Sequence, residues 1–223
     1  MNVLITSAGS ESGKLLVESL NGDHTLRLTD EPGRAGKDVV ACEFGHDEAT
    51  DGLCEGIHVI VHVCDPDNRL SDDEVVDTFS RKTYNLMTAA AAAGVEHVVY
   101  VSSLQLFSAA KPEYEIDEQW APSVTTDIET LRHHIGEFVV REFARANAFP
   151  VTCVRFGKVV ADGQVEADSV TRTHFAQSVA AAIERRPSGW SVFHVVSEGA
   201  HFKTKRAVEG LGLELELRTG EGA

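Results

Sequence analysis

Short apolar runs alternate along the whole chain with longer stretches of helical periodicity. Residues 3–5, 25–28, 39–42, 59–63, 98–101, 151–155 and 191–196 are rich in Val, Ile and Leu. Between them, about 13–20, 47–55, 72–93, 127–147, 170–186 and 202–211 place apolar residues at helical spacing. Such alternation predicts βαβ units, and the near-continuous apolar character of the central runs predicts strands covered on both faces. The expected fold is α/β: a doubly wound parallel sheet of roughly seven strands. It is read as one domain over residues 1–223, with 157–223 contributing a small C-terminal lobe. No internal repeat is visible, and the alanine run at 89–93 reads as a close-packing helix face. Residues 103–125 form the longest stretch without periodicity. Ligands of open α/β sheets bind outside the carboxyl ends of the strands, so this segment is a candidate active-site wall. Its Tyr114 and Trp120 either line a pocket or pin the loop down.

The first strand leads directly into candidate chemistry. Asn2-Val-Leu-Ile-Thr-Ser-Ala-Gly-Ser-Glu-Ser-Gly-Lys14 is an apolar strand, a run of small residues and the start of a helix. In that arrangement a dinucleotide's pyrophosphate sits on backbone N–H groups at the positive end of a helix dipole. In G-x-x-G-x-x-G spacing from position 7, Ser7 and Ser10 hold the first two places, Gly13 keeps the third, and Gly9 falls between them. These four are the candidate cofactor-binding residues of the loop. A triphosphate-binding reading competes: Lys14 sits where G-x-x-x-x-G-K-[ST] needs its lysine. Ala8 replaces the first glycine, however, and Leu15 replaces the hydroxyl that would hold Mg²⁺.

Charge and cysteine usage narrow the partners. A formal net charge of −15 argues against nucleic acid, whose binding needs Lys and Arg to neutralise phosphates. Cys42, Cys54, Cys64 and Cys153 show neither C-x-x-C pairing nor zinc-site spacing, and three border apolar strands as small hydrophobes do. No apolar run approaches the ~20 residues that cross a bilayer, and a strand at the very start leaves no room for a signal peptide. The expectation is a reduced, cytoplasmic protein without membrane contact. His58 and His62 share a strand face, but no third ligand lies at a persuasive spacing, so no metal site is expected.

Read in order, several segments resemble the NAD-dependent epimerase/dehydratase family, the extended short-chain dehydrogenase/reductases. They are Gly56-Ile-His-Val-Ile-Val-His62, Asn85, the run Ala89 to Val101 with Ser102-Ser103, Pro150-Val-Thr-Cys-Val-Arg-Phe-Gly157, Ser188 to Val196, and Leu211-Gly-Leu213. The resemblance implies strand order 3-2-1-4-5-6-7, a small-molecule substrate and NAD, with NADP not excluded. It also implies dimers built on the two long helices, and a substrate lobe reduced by the short stretch after Gly157. It places Asp30, ending the second strand, on the adenosine ribose hydroxyls, which favours NAD because a 2′-phosphate would be repelled; a plain turn is the other role open to it. It places Glu43 on the adenine, with Phe44 beside the ring, and Ser103 at the catalytic Ser/Thr position, with Phe107 four residues on.

The family's Tyr-x-x-x-Lys pair, in which the lysine lowers the tyrosine pKa and holds the nicotinamide ribose, is missing. Counting back from Glu137 puts Glu129 at the Tyr position and His133 at the Lys position. This i,i+4 pair is a candidate substitute acid/base. The same residues also read as a Thr126/Glu129 capping box and a surface histidine, with Ile128, Leu131, Ile135, Phe138 and Val139 as the buried stripe, and that is the expected arrangement. Three functions stay open. One is an NAD(P)-binding protein with degenerate catalysis, and another an atypical reductase or epimerase using Ser103 and His133. The third is a nucleotide-binding α/β domain that is not dinucleotide-specific.

Overall fold

The computed structural model describes residues 1–164, 166–197 and 201–215. The chain runs β1 (Asn2–Ile5), α1 (Glu11–Leu20), β2 (Thr25–Asp30), β3 (Val40–Ala41), α2 (Glu48–Cys54) and β4 (Val59–His62). It continues through α3 (Asp72–Asp77), a π turn (Thr78–Lys82), α4 (Thr83–Ala93), β5 (His97–Ser103), a 3-10 turn (Leu104–Phe107) and α5 (Ile128–Arg145). Then follow β6 (Val151–Phe156), β7 (Lys158–Val160), β8 (Ser169–Thr171), α6 (Arg172–Arg185), β9 (Trp190–Val195) and α7 (Lys205–Leu211).

Among the described residues, seven strands form one parallel sheet in the order β3-β2-β1-β4-β5-β6-β9, the doubly wound arrangement that the alternation predicts. β7 and β8 pair separately. The period of two along each strand splits the core. Leu4 and Ile60 face α2, α4 and α5, while Val3, Ile5, Val59 and Val61 face α1, α6 and α7. Every residue of β4 and β6 is buried, which is why these runs carry no polar alternation.

Two local differences have clear causes. The expected continuous helix over 72–93 is interrupted by the π turn, where Thr83 Oγ1 donates to the carbonyl of Thr78 (2.8 Å) and also meets His62 Nε2 (3.1 Å). Within the alanine run, Ala89 and Ala90 are buried while 91–93 are exposed, so only one turn is a packing face.

The larger difference is α5. The expected stripe is only half-buried at Ile128, Leu131, Ile135 and Val139, and Phe138 is 53% exposed. The buried face is Thr130, Gly136, Glu137, Val140 and Ala144. A polar anchor overrides the apolar pattern here. Glu137 Oε1 accepts from Ser102 Oγ (2.7 Å) and Arg155 Nε (2.8 Å), and Oε2 from Arg155 Nη2 (2.6 Å), cross-linking α5 to β5 and β6.

Candidate active site

The β1–α1 loop closes with serines in the glycine places. Ser7 adopts φ 50°, and its Oγ accepts from the Asp65 N–H (3.1 Å). Ser10 is the N-cap of α1, its Oγ accepting from the Gly13 N–H (3.0 Å). Both hydroxyls therefore turn to internal partners, which is how the loop tolerates them. Gly13 has no such freedom: a Cβ there would lie 2.1 Å from the Ser7 carbonyl oxygen. The surviving glycine is the one that lets helix and loop pack closely. With the Gly13 and Lys14 N–H groups both bonded to Ser10, those of Glu11 and Ser12 remain as helix N-terminal donors among the described residues. Lys14 is exposed, and Leu15 packs against the core beneath α1, so no hydroxyl sits where a triphosphate site holds Mg²⁺.

Asp30 is 1% exposed. Its carboxylate accepts from the Gly9 N–H (2.7 Å), the Glu31 N–H (2.8 Å) and Arg34, whose Nε lies 3.0 Å from both oxygens. Arg34 Nη2 also donates to the Asp65 carbonyl (2.5 Å), tying the end of β2 to the segment after β4. Burial pushes the Asp65 carboxyl up, against the opposing pull of Arg34 and a Ser10 hydrogen bond. Glu43 is exposed and, with Glu31, Arg34, Arg69 and Lys82, lines a cleft of about 580 Å³ beyond Asp30. Phe44 is buried at φ 51°, its carbonyl accepting from Asn85 Nδ2 (2.9 Å).

At the other end of the sheet's carboxyl edge, Ser103 closes β5. Its Oγ accepts from the Gln105 N–H (3.1 Å), leaving its own proton free to be donated. Ser103, Phe107, Phe156, Lys158, Asp168 and His201 line a cavity of about 370 Å³ at the ends of β5 and β6. Glu129 and His133 are not among its lining residues.

The expected capping box does not form. Asp127 is the N-cap of α5 without a side-chain bond, and Glu129 instead pairs with Arg132 Nη2 (2.6 Å) at the surface. The reciprocal box occurs at Ser71 and Glu74. His133 is not a surface residue either. Its ring meets Phe79 edge-on at 5.6 Å and its Nδ1 is buried without a hydrogen-bond partner. Burial, reinforced by Arg132, pushes its pKa down to about 3. A neutral imidazole cannot supply the charge of a lysine at that position. The cation here is Arg132, one residue earlier, stacked over Phe79 with an unpartnered buried Nε. Sequence counting missed it because it lies one place out of the Tyr/Lys register.

The remaining candidates are structural. His62 bridges Thr6 Oγ1 (3.0 Å) and Thr83 Oγ1 (3.1 Å), and burial lowers its pKa to about 3. His58 Nδ1 accepts from the Asn2 N–H (3.0 Å). Among the described residues no group of three potential ligands could hold a metal, and no helix is long and apolar enough to cross a membrane. Tyr114 and Trp120 pack against each other at 5.3 Å on the outer loop.

The fold is the doubly wound parallel sheet, with the Ser7–Gly13 loop leading into α1 and a separate cavity beside Ser103. Residues 3–199 match the NAD dependent epimerase/dehydratase family, and the chain belongs to it. Over 102 residues it is 28% identical to L-arabinose 1-dehydrogenase (NAD(P)(+)) of Haloferax volcanii; the match covers 45% of this chain and 40% of that relative. Among solved structures it resembles the uronate dehydrogenase of Agrobacterium tumefaciens (TM-score 0.82, 20% identity, covering 97% of this chain and 84% of that one). The UDP-N-acetylglucosamine 4-epimerase of Bacillus cereus is similar in the same way (TM-score 0.81, 14% identity, covering 98% and 92%).

Proposed function

We propose that the protein is an NAD(H)-binding oxidoreductase of the epimerase/dehydratase family that acts on a sugar-sized alcohol or carbonyl compound without the family's Tyr/Lys relay. The cavity beside Ser103 carries this reading. At about 370 Å³ it stands near the lower end of small-molecule sites, suited to a monosaccharide or sugar acid rather than a nucleotide sugar. The named relatives, an arabinose dehydrogenase and a uronate dehydrogenase, support it.

The residues present fit a dinucleotide. The Glu11 and Ser12 N–H groups and the dipole of α1 would take the pyrophosphate. Asp30 and Glu43 would take the adenosine end once Arg34 swings off the Asp30 carboxylate. Bound there, the nicotinamide supplies hydride transfer. The chain's own part is to hold the substrate oxygen, and the Ser103 hydroxyl can polarise it. The Asp30 carboxylate favours the ribose hydroxyls of NAD, while Arg34, paired with it, offers a cation to the 2′-phosphate of NADP.

The wider assignments follow the same logic. The chain is one functional domain, in which the lobe after Gly157 supplies cavity wall. The apolar outer face of α4 and α5, with Tyr84 55% and Phe138 53% exposed, pairs two copies into a dimer. Four buried free cysteines suit a reducing cytoplasm. The test is to supply NAD or NADP with uronates, L-arabinose and nucleotide sugars and follow absorbance of the reduced cofactor. Turnover of monosaccharides but not nucleotide sugars is expected; the reverse preference refutes the cavity assignment.

A further inference from the structure

With Glu129 turned outward and His133 neutral, the usual proton relay has no carrier. The cavity beside Ser103 contains another pair. Asp168, at φ 55° just before β8, accepts the His201 backbone N–H on Oδ1 (3.0 Å), and its Oδ2 contacts His201 Nδ1. A carboxylate only accepts, so Nδ1 carries a proton, and in the neutral ring Nε2 keeps its lone pair. Both residues line the cavity. The backbone seats the pair firmly. Gly157, at the end of β6, packs so closely on Asp168 that a Cβ would lie 1.9 Å from its carbonyl oxygen. The His201 carbonyl accepts from the Ile116 N–H (2.7 Å), and the Lys203 N–H donates to the Ile116 carbonyl (3.0 Å).

We propose that His201, oriented by Asp168, is the acid/base for the substrate in this cavity, with Ser103 donating to the same oxygen. The proposal rests on the reading of the cavity as the substrate site. In the oxidising direction the alcohol O–H bond breaks and its proton goes to His201 Nε2. The C–H electron pair leaves as hydride to the oxidised nicotinamide dinucleotide, and the C=O bond forms. The imidazolium produced is balanced by the Asp168 carboxylate, and reduction runs the same path backwards.

A purely structural pair would pin the segment around Ile116 to the end of β6 and do nothing else. Nitrogen NMR of the full-length protein labelled with ¹⁵N-histidine separates the two roles. The probes are NADH together with D-glucuronate, D-galacturonate or L-arabinose. His201 is expected to show a protonated Nδ1 and a bare Nε2, and its Nε2 signal is expected to move when one of these sugars is added. His201→Asn, whose amide can still donate to Asp168, should keep the urea midpoint and lower turnover of that sugar about 10²-fold or more, leaving KM nearly unchanged. A proton on Nε2, an unmoved His201 signal in a protein whose melting temperature NADH raises, or full turnover in His201→Asn overturns the assignment while the cofactor reading stands. No thermal response to NADH overturns the cofactor reading and the proposal with it.

Discussion

Replacing Glu137 by Gln should cost this protein a large part of its stability. Glu137 and Arg155 are each 5% exposed, and the carboxylate meets the Ser102 hydroxyl and two guanidinium nitrogens within 2.8 Å. Gln keeps one acceptor oxygen and brings an N–H₂ group against a donor that cannot turn away. The Ser102 hydroxyl can rotate to accept, but the guanidinium has no acceptor. Arg155 would be left with His194 Nε2 at 3.4 Å, on an imidazole that burial keeps neutral with a pKa of about 3, and the ring of Phe107 at 5.3 Å. Removing one partner of a buried pair costs about 3–5 kcal/mol, against a total of about 5–15 kcal/mol for a typical domain. Urea unfolding followed by circular dichroism should show a lower midpoint at unchanged slope. The double variant Glu137→Leu, Arg155→Met should recover most of the loss, because no charge is then stranded. A Glu137→Gln protein within about 1 kcal/mol of wild type would show that Arg155 finds other solvation. The register of α5, which places Glu129 and His133 at the family's Tyr and Lys positions, would then lose its anchor.

Acid should unfold the protein early. His62, His133 and His194 are pushed down to about 3 and His97 to about 4, all chiefly by burial. Groups with depressed native pKa values contribute stability above the unfolded value near 6.5 that is lost as pH falls. Four such histidines together cost up to about 5 kcal/mol at one unit below it. Circular dichroism should therefore show unfolding between about pH 5.5 and 4.5, and an intact fold at pH 4 would refute these burials. Gly13→Ala should destabilise the protein and abolish any NADH-induced rise in melting temperature, since its Cβ meets the Ser7 carbonyl at 2.1 Å; an unchanged response would show that the loop yields. Glu129→Gln should alter stability by less than about 1 kcal/mol, because its pairing with Arg132 is at the surface, and should leave turnover intact. Lost turnover would restore Glu129 as an acid.

The sheet was legible because buried parallel strands leave an unmistakable mark. Runs such as 59–63 and 151–155 have no polar alternation, and helices must fill the gaps between them. The segments β7 and β8 were not legible, since three residues each carry too little pattern to register. In α5 periodicity pointed the wrong way: Glu137 reads as solvent-facing until Arg155 and Ser102, brought alongside by β6 and β5, turn it inward. The loop serines told of loss, but not that each hydroxyl has an internal partner. Arg34 carries no motif, although it occupies the carboxylate of Asp30. Asp168 and His201 stand 33 residues apart, and only tertiary structure joins them.

The central claim is that the degenerate loop between β1 and α1 still binds a dinucleotide. Calorimetric titration of the full-length protein with NADH and, separately, with ATP·Mg²⁺ tests it most directly. The account predicts weak but measurable NADH binding, tighter than that of ATP·Mg²⁺ and weakened by about 1–3 kcal/mol in Asp30→Ala, where the ribose hydroxyls lose a charged partner. Tight ATP·Mg²⁺ binding with no NADH binding would contradict it.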